Sequence, residues 1–228
     1  MLTFPVNHGK TLNIVAFHTT EEDWPDYTRL TRPAKREDAL RDFEGYGHDV
    51  RSLLQLCQPN LDIVSPSDPH ELPSSEPAND RLQWAIFHLG DNPLPNYNKS
   101  TVLLIGDAAH ATSPHHGAGA GMCIEDSAIL SDLLLACSTR DELALAFETF
   151  NELRRDRGNF LVQTSQHIGN CYEWIADGVG EDFAKIEREI NERNKLIADV
   201  DVAGMSRRAR EVWAAKVAGR EGGVVSKF

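Results

Sequence analysis

The residues with the most chemical potential lie between Ile105 and Asp126, in the run IGDAAHATSPHHGAGAGMCIED. Asp107 follows the continuous apolar stretch Thr101 to Ile105, TVLLI, which reads as a strand buried on both faces in a parallel sheet. Ligands of such sheets bind just outside the carboxyl ends of the strands. A carboxylate there accepts hydrogen bonds from the hydroxyls of a sugar or polyol. Downstream of Pro114, Gly117, Gly119 and Gly121 alternate with Ala118 and Ala120, and a helical pattern runs from Gly119 through Met122 to about Ala136. Small residues let a flat ligand approach the backbone closely. The unpaired N–H groups of a helix's first turn, together with its macrodipole, favour negative charge at that point.

The spacing argues against a nucleotide phosphate loop. In a G-x-G-x-x-G count from Gly117, Met122 falls at the third glycine, and from Gly119 it is Ile124. No G-x-x-x-x-G-K pattern occurs either. The glycines therefore point to a ligand, but not to its pyrophosphate. Plainer readings stand beside this one. Asp107 suits the N-cap of a helix starting at Ala108, and a Gly-Ala run also suits close helix–strand packing. His110, His115 and His116 with Asp107 have the chemistry of a metal-dependent hydrolase site, although their spacing matches no H-x-x-x-H pair.

Gly106-Asp107-Ala108-Ala109-His110, then Pro114-x-x-Gly117-x-Gly119, then Glu125-Asp126 resembles the signature of the single-component flavoprotein aromatic hydroxylases, of salicylate hydroxylase type. Thr3-Phe4-Pro5-Val6 resembles that family's strand over the flavin. Ala146-Phe147 with Arg154 and Arg157 resembles the helix after the signature. The resemblance spans most of residues 2–170. It implies that Asp107 binds the ribityl chain of FAD, and that Pro114, Gly117, Gly119, Ala120, Gly121 and Met122 contribute backbone to the flavin ring edge. It also implies NADH or NADPH as electron donor, O2 as co-substrate and a phenolic or aromatic acid as the ring hydroxylated. Two family features have no counterpart here: the strand, G-x-G-x-x-G turn and helix that bind the ADP half of FAD, and a later Asp-Gly motif. His116 stands where the family commonly has Gln. The resemblance thus reads the chain as the C-terminal part of such an enzyme, a truncated product, fragmentary gene model or decayed copy. The alternative is a non-catalytic interaction module derived from one.

The elements around this segment suit a mixed α/β (α+β) fold, and the resemblance implies a partial FAD/NAD(P)-binding monooxygenase fold. Residues 1–98 read as part of a β-sheet substrate domain with short helices. They open with a hairpin over residues 2–6 and 11–17, turning at Gly9. Helices follow near 35–43 and 49–57, then a Pro- and Ser-rich loop over 58–80 and a strand over 81–89, where Trp84 and Phe87 are core candidates. Residues 99–138 read, through the resemblance, as the flavin-contacting strand–loop–helix. Residues 139–228 form a helical region, opened by the capping-box pattern Thr139-x-x-Glu142 and a long helix to about Ile168. Glu125 and Asp126 read as acids favoured in early helical turns, with no catalytic role required, and Arg207, Arg208 and Arg210 as a solvated face.

A formal net charge of -12 repels phosphate backbones and argues against nucleic-acid partners. The four cysteines form no C-x-x-C pair and no zinc spacing, as in reduced cytosolic proteins. The first ten residues lack a signal-peptide pattern, and no apolar run is long enough to span a bilayer. A soluble, cytoplasmic protein is expected.

Overall fold

The computed structural model describes residues 1–20, 22–57 and 82–225. The chain forms two compact units, residues 1–86 and 87–228. The first holds strands β1 (Leu2–Val6), β2 (Thr11–Val15), β3 (Thr31–Pro33) and β4 (Leu82–Trp84), with helices α1 (Arg36–Asp42) and α2 (His48–Leu56). β1 and β2 are antiparallel, pairing Leu2 with Val15 and Val6 with Thr11. Their turn needs positive φ at Asn7, His8 and Gly9, which places the turn where the sequence suggests it. β3 and β4 form a second antiparallel pair, with Thr31 opposite Trp84. α1 starts where the Asp38 carboxylate accepts a hydrogen bond from the Lys35 N–H at 3.0 Å. The loop expected over 58–80 lies outside the described residues.

The expected strand over 81–89 is shorter than its composition suggests. It ends at Trp84, which is 58 % exposed, while Phe87 is 41 % exposed. Neither aromatic is core. A three-residue, two-stranded ribbon leaves one face uncovered.

In the second unit, β5 (Asn98–Lys99) pairs with β6 (Val102–Leu103), followed by α3 (Asp107–His110) and a 3-10 turn, Pro114–His116. Helix α4 (Gly119–Ala136) then leads through a second 3-10 turn, Arg140–Glu142, into α5 (Leu143–Tyr172), α6 (Phe183–Ala198) and α7 (Val202–Val225). α4, α5 and α7 pack together, and their core is Ile129, Leu133, Ala146, Phe150 and Ala209 with Tyr97 and Ala109. A second cluster joins Ile168, Cys171 and Ala176 to Ile186 of α6.

Two sequence expectations change here. The TVLLI run is not a doubly buried parallel strand among the described residues. It pairs antiparallel with residues 98–99 only, and Val102, Leu104 and Ile105 keep 63 %, 36 % and 38 % of their surface. Apolar composition sets a strand's preference for burial, but burial needs neighbours on both faces. α4 buries one stripe, Met122, Glu125, Asp126, Ile129 and Leu133, while Ile124 and Leu135 are exposed. The capping box is also modified: Glu142 accepts from the Ser138 N–H at 2.8 Å, and a 3-10 turn precedes the long helix.

Candidate flavin-contacting site

The site is built on the turn from β6 into α3. Gly106 has φ 59° and ψ -142°, a region that essentially only glycine enters. A side chain there would also meet Cys123 Sγ at 3.1 Å. This turn places Asp107 as the first residue of α3, exposed, with Gly106 in the N-cap position. Asp107 therefore does not cap a helix beginning at Ala108. Its negative charge acts on the Cys123 thiol, which burial and then Asp107 and Asp126 push up. Since Cys123 is in the second turn of α4, Asp107 lies beside the start of that helix.

The other half of the site is the entry to α4. Pro114 opens the 3-10 turn, and Gly117 closes it in the left-handed region at φ 64°, ψ 20°. Ala118 is the N-cap of α4 and no side chain caps the helix. The first-turn N–H groups of Gly119, Ala120 and Gly121 thus lack a side-chain acceptor. The Met122 N–H donates to Ala118 O at 3.0 Å, and the Met122 side chain is buried. Glycine at position 121 has no internal cause: its φ is not positive and a Cβ would meet nothing within 4 Å. Inside a helix, glycine costs roughly 0.5–1 kcal/mol relative to alanine. A bare backbone facing open space is what close approach of a planar group requires. On that observation the residues fit a flavin.

Beneath the site lies a buried ionic network. Asp126, fully buried, accepts from the Gly106 N–H at 3.1 Å and from Arg154 Nε at 2.7 Å, and its Oδ2 lies 2.7 Å from His110 Nε2. Arg154, also fully buried, reaches Glu125 through Nη1 at 2.7 Å. Arg157 closes on Glu125 with Nε at 2.6 Å and Nη2 at 2.7 Å. Burial alone would raise both carboxyl pKa values. Hydrogen bonds outweigh it, from His110 and Arg154 for Asp126 and from Arg157 and Arg154 for Glu125, so both are held below the usual range. In the sequence these acids read as favoured in early helical turns, with no catalytic role required. Their spacing carried the signal: 122, 125, 126, 129 and 133 fall on one helical stripe, so the acids share the core face with apolar residues.

The three histidines are used separately. His110 is buried against Asp126, His115 Nδ1 lies 2.9 Å from Ser113 Oγ, and His116 Nδ1 lies 2.7 Å from Asn194 Oδ1. Among the described residues, no three His, Cys, Asp or Glu side chains converge on a metal position. Nor is any described helix long and apolar enough to cross a membrane.

Residues 70–165, which include the whole of this site, match the family described as FAD binding domain. The chain is similar in sequence to FAD-dependent monooxygenases. It is 37 % identical over 230 residues to FAD-dependent monooxygenase orf3 of Aspergillus niger, covering 96 % of this chain and 47 % of that protein. It is 39 % identical over 220 residues to FAD-dependent monooxygenase pigN of Monascus ruber, covering 92 % and 46 %. A salicylate hydroxylase solved as a substrate complex shares its fold, with a TM-score of 0.69, 30 % identity, and coverage of 91 % of this chain and 46 % of that one. The chain spans about half the length of the curated relatives it matches.

Proposed function

We propose that this chain supplies the flavin-contacting turn and helix of an FAD-dependent monooxygenase, together with part of its substrate domain. The enzyme would hydroxylate a phenolic or aromatic acid using NADH or NADPH and O2. The observation that carries the reading is the pairing of exposed Asp107 with the uncapped, glycine-lined start of α4. The Asp107 carboxylate would accept hydrogen bonds from ribityl hydroxyls. The N–H groups of Gly119, Ala120 and Gly121 would face the pyrimidine edge of the ring, and the helix dipole would stabilise negative charge there. FAD, when bound, supplies the electron transfer and oxygen activation. The protein orients it and excludes water.

Residues 1–98 would serve substrate, 99–138 flavin, and 139–228 would give helical support. Titration of the purified chain with FAD, followed by flavin fluorescence, tests the site. Saturable binding weakened by Asp107→Ala is expected, and absence of binding by the wild-type chain counts against it. A second reading, a non-catalytic interaction module, draws on the exposed Ile124 and Leu135 of α4. It predicts concentration-dependent association without flavin, which light scattering resolves.

A further inference from the structure

We infer that Asp126 is a positioning residue for the flavin site, and that its carboxylate binds the Asp107 turn and the α4 entry into one unit. The inference rests on the proposed flavin reading for its ligand, but its geometry stands apart from it. Asp126 reaches the turn directly. Its Oδ2 accepts from the Gly106 N–H at 3.1 Å and sits 2.7 Å from His110 Nε2. Gly106 and His110 bracket Asp107, and the His110 N–H donates back to Gly106 O at 2.9 Å, closing the single turn of α3. A four-residue helix has too few internal hydrogen bonds to hold itself. Asp126 therefore fixes both ends of α3 from below, while belonging to α4, whose start faces the same ligand. Arg154 holds Asp126 in turn, through Nε at 2.7 Å. Glu125 and Arg157 continue the network away from the turn, toward the carbonyls of Leu196 and Ile197 in the last turn of α6.

The inferred role of Asp126 and the groups that hold it is structural. Their role is to fix where the Asp107 carboxylate stands relative to the N–H groups of Gly119, Ala120 and Gly121, since misplacement of a binding group costs affinity even when the group itself is present.

The test separates positioning from general stability. Asp126→Asn weakens the clamp, and His110→Phe removes the His110–Asp126 bond while leaving the Asp126–Arg154 pair. Leu133→Ala is the comparison: Leu133 is fully buried on the same helix and outside the network. Hydrogen–deuterium exchange is read on peptides covering residues 105–111 and on α5, in the chain without ligand, and FAD affinity is read beside it. In Asp126→Asn and His110→Phe, exchange over 105–111 is expected to rise about tenfold or more with α5 little changed, a local opening. FAD affinity should fall about tenfold beyond that of Leu133→Ala at a matched melting temperature. If Asp126→Asn does not fold, His110→Phe alone decides. Exchange over 105–111 that is unchanged, or that rises only in step with Leu133→Ala, overturns the inference. A wild-type chain that binds no FAD refutes the proposed function, while the exchange result still decides the clamp.

Discussion

Arg154 Nε and the Asp126 carboxylate lie 2.7 Å apart with both side chains fully excluded from solvent. Such a pair is not in itself strong evidence of net stability, because desolvation offsets much of its attraction. Removing one partner is another matter, since the other is left as an uncompensated buried charge. Arg154→Met would strand Asp126 and half of the Glu125 interaction. A loss of about 3–5 kcal/mol is expected in urea denaturation. Arg154→Lys keeps the charge but not the fork that serves Asp126 and Glu125 together, so it should recover only part of that loss. Full recovery by lysine would mean that charge alone, without geometry, holds the network.

The same network sets an acid limit. The folded pKa values of Asp126 and Glu125 lie below their ordinary values of 3.8 and 4.5. Their stabilising contribution is therefore complete above those ordinary values and is lost as pH falls through the depressed ones. Glu125→Gln should be less stable than wild type at neutral pH, and the gap should narrow as pH drops below 4.5. A gap constant from pH 7 to 3 in thermal melts would show that Glu125 does not carry that charge linkage.

Two glycines separate packing from ligand approach. A Cβ on Gly158 of α5 would run into the Tyr97 hydroxyl and come within 3.0 Å of His110. Gly158→Ala should cost about 1–3 kcal/mol by overpacking. Gly121→Ala meets nothing in the protein and replaces glycine with a better helix former, so it should leave stability unchanged or raise it by up to about 1 kcal/mol. If a planar ligand lies against that backbone, the same change weakens FAD binding. Gly121→Ala that binds FAD as well as wild type would remove position 121 from the site.

The local structure around the start of α4 is partly legible in the sequence. The helix begins at Gly119 as its pattern requires, and the positive φ that Gly106 and Gly117 adopt is a conformation their residue type tolerates. Periodicity also located α4 to the residue and most of α5. Three things were not legible. The burial of TVLLI depends on strands that composition cannot supply. Trp84 and Phe87 are large and apolar, but their exposure depends on what the three-residue β4 has beside it. The arginine partners of Asp126 and Glu125 sit 28 to 32 residues downstream on another helix. The stripe spacing shows that those acids face inward, but only the packing of α4 on α5 shows that Arg154 and Arg157 meet them.

His115 offers a pH signature of its own. It belongs to the 3-10 turn that leads into α4, and its ring is pressed against α5, where a Cβ on Gly169 would approach it to 2.7 Å. Burial, and then the neighbouring His116 and His88, lower its pKa from the ordinary 6.5 to about 4. Between those values the unfolded chain binds a proton at this position and the folded chain does not. Stability linked to His115 is therefore complete above pH 6.5 and falls as pH drops from there to about 4. His115→Phe keeps an aromatic ring in the site and removes the titration. Its melting temperature should fall less steeply than that of wild type across this window, while carboxylates common to both proteins cancel in the difference. Parallel curves would mean that the His115 ring takes up its proton without resistance from the fold. In that case the turn into α4 would open to water more readily than its packing against Gly169 and Tyr172 implies.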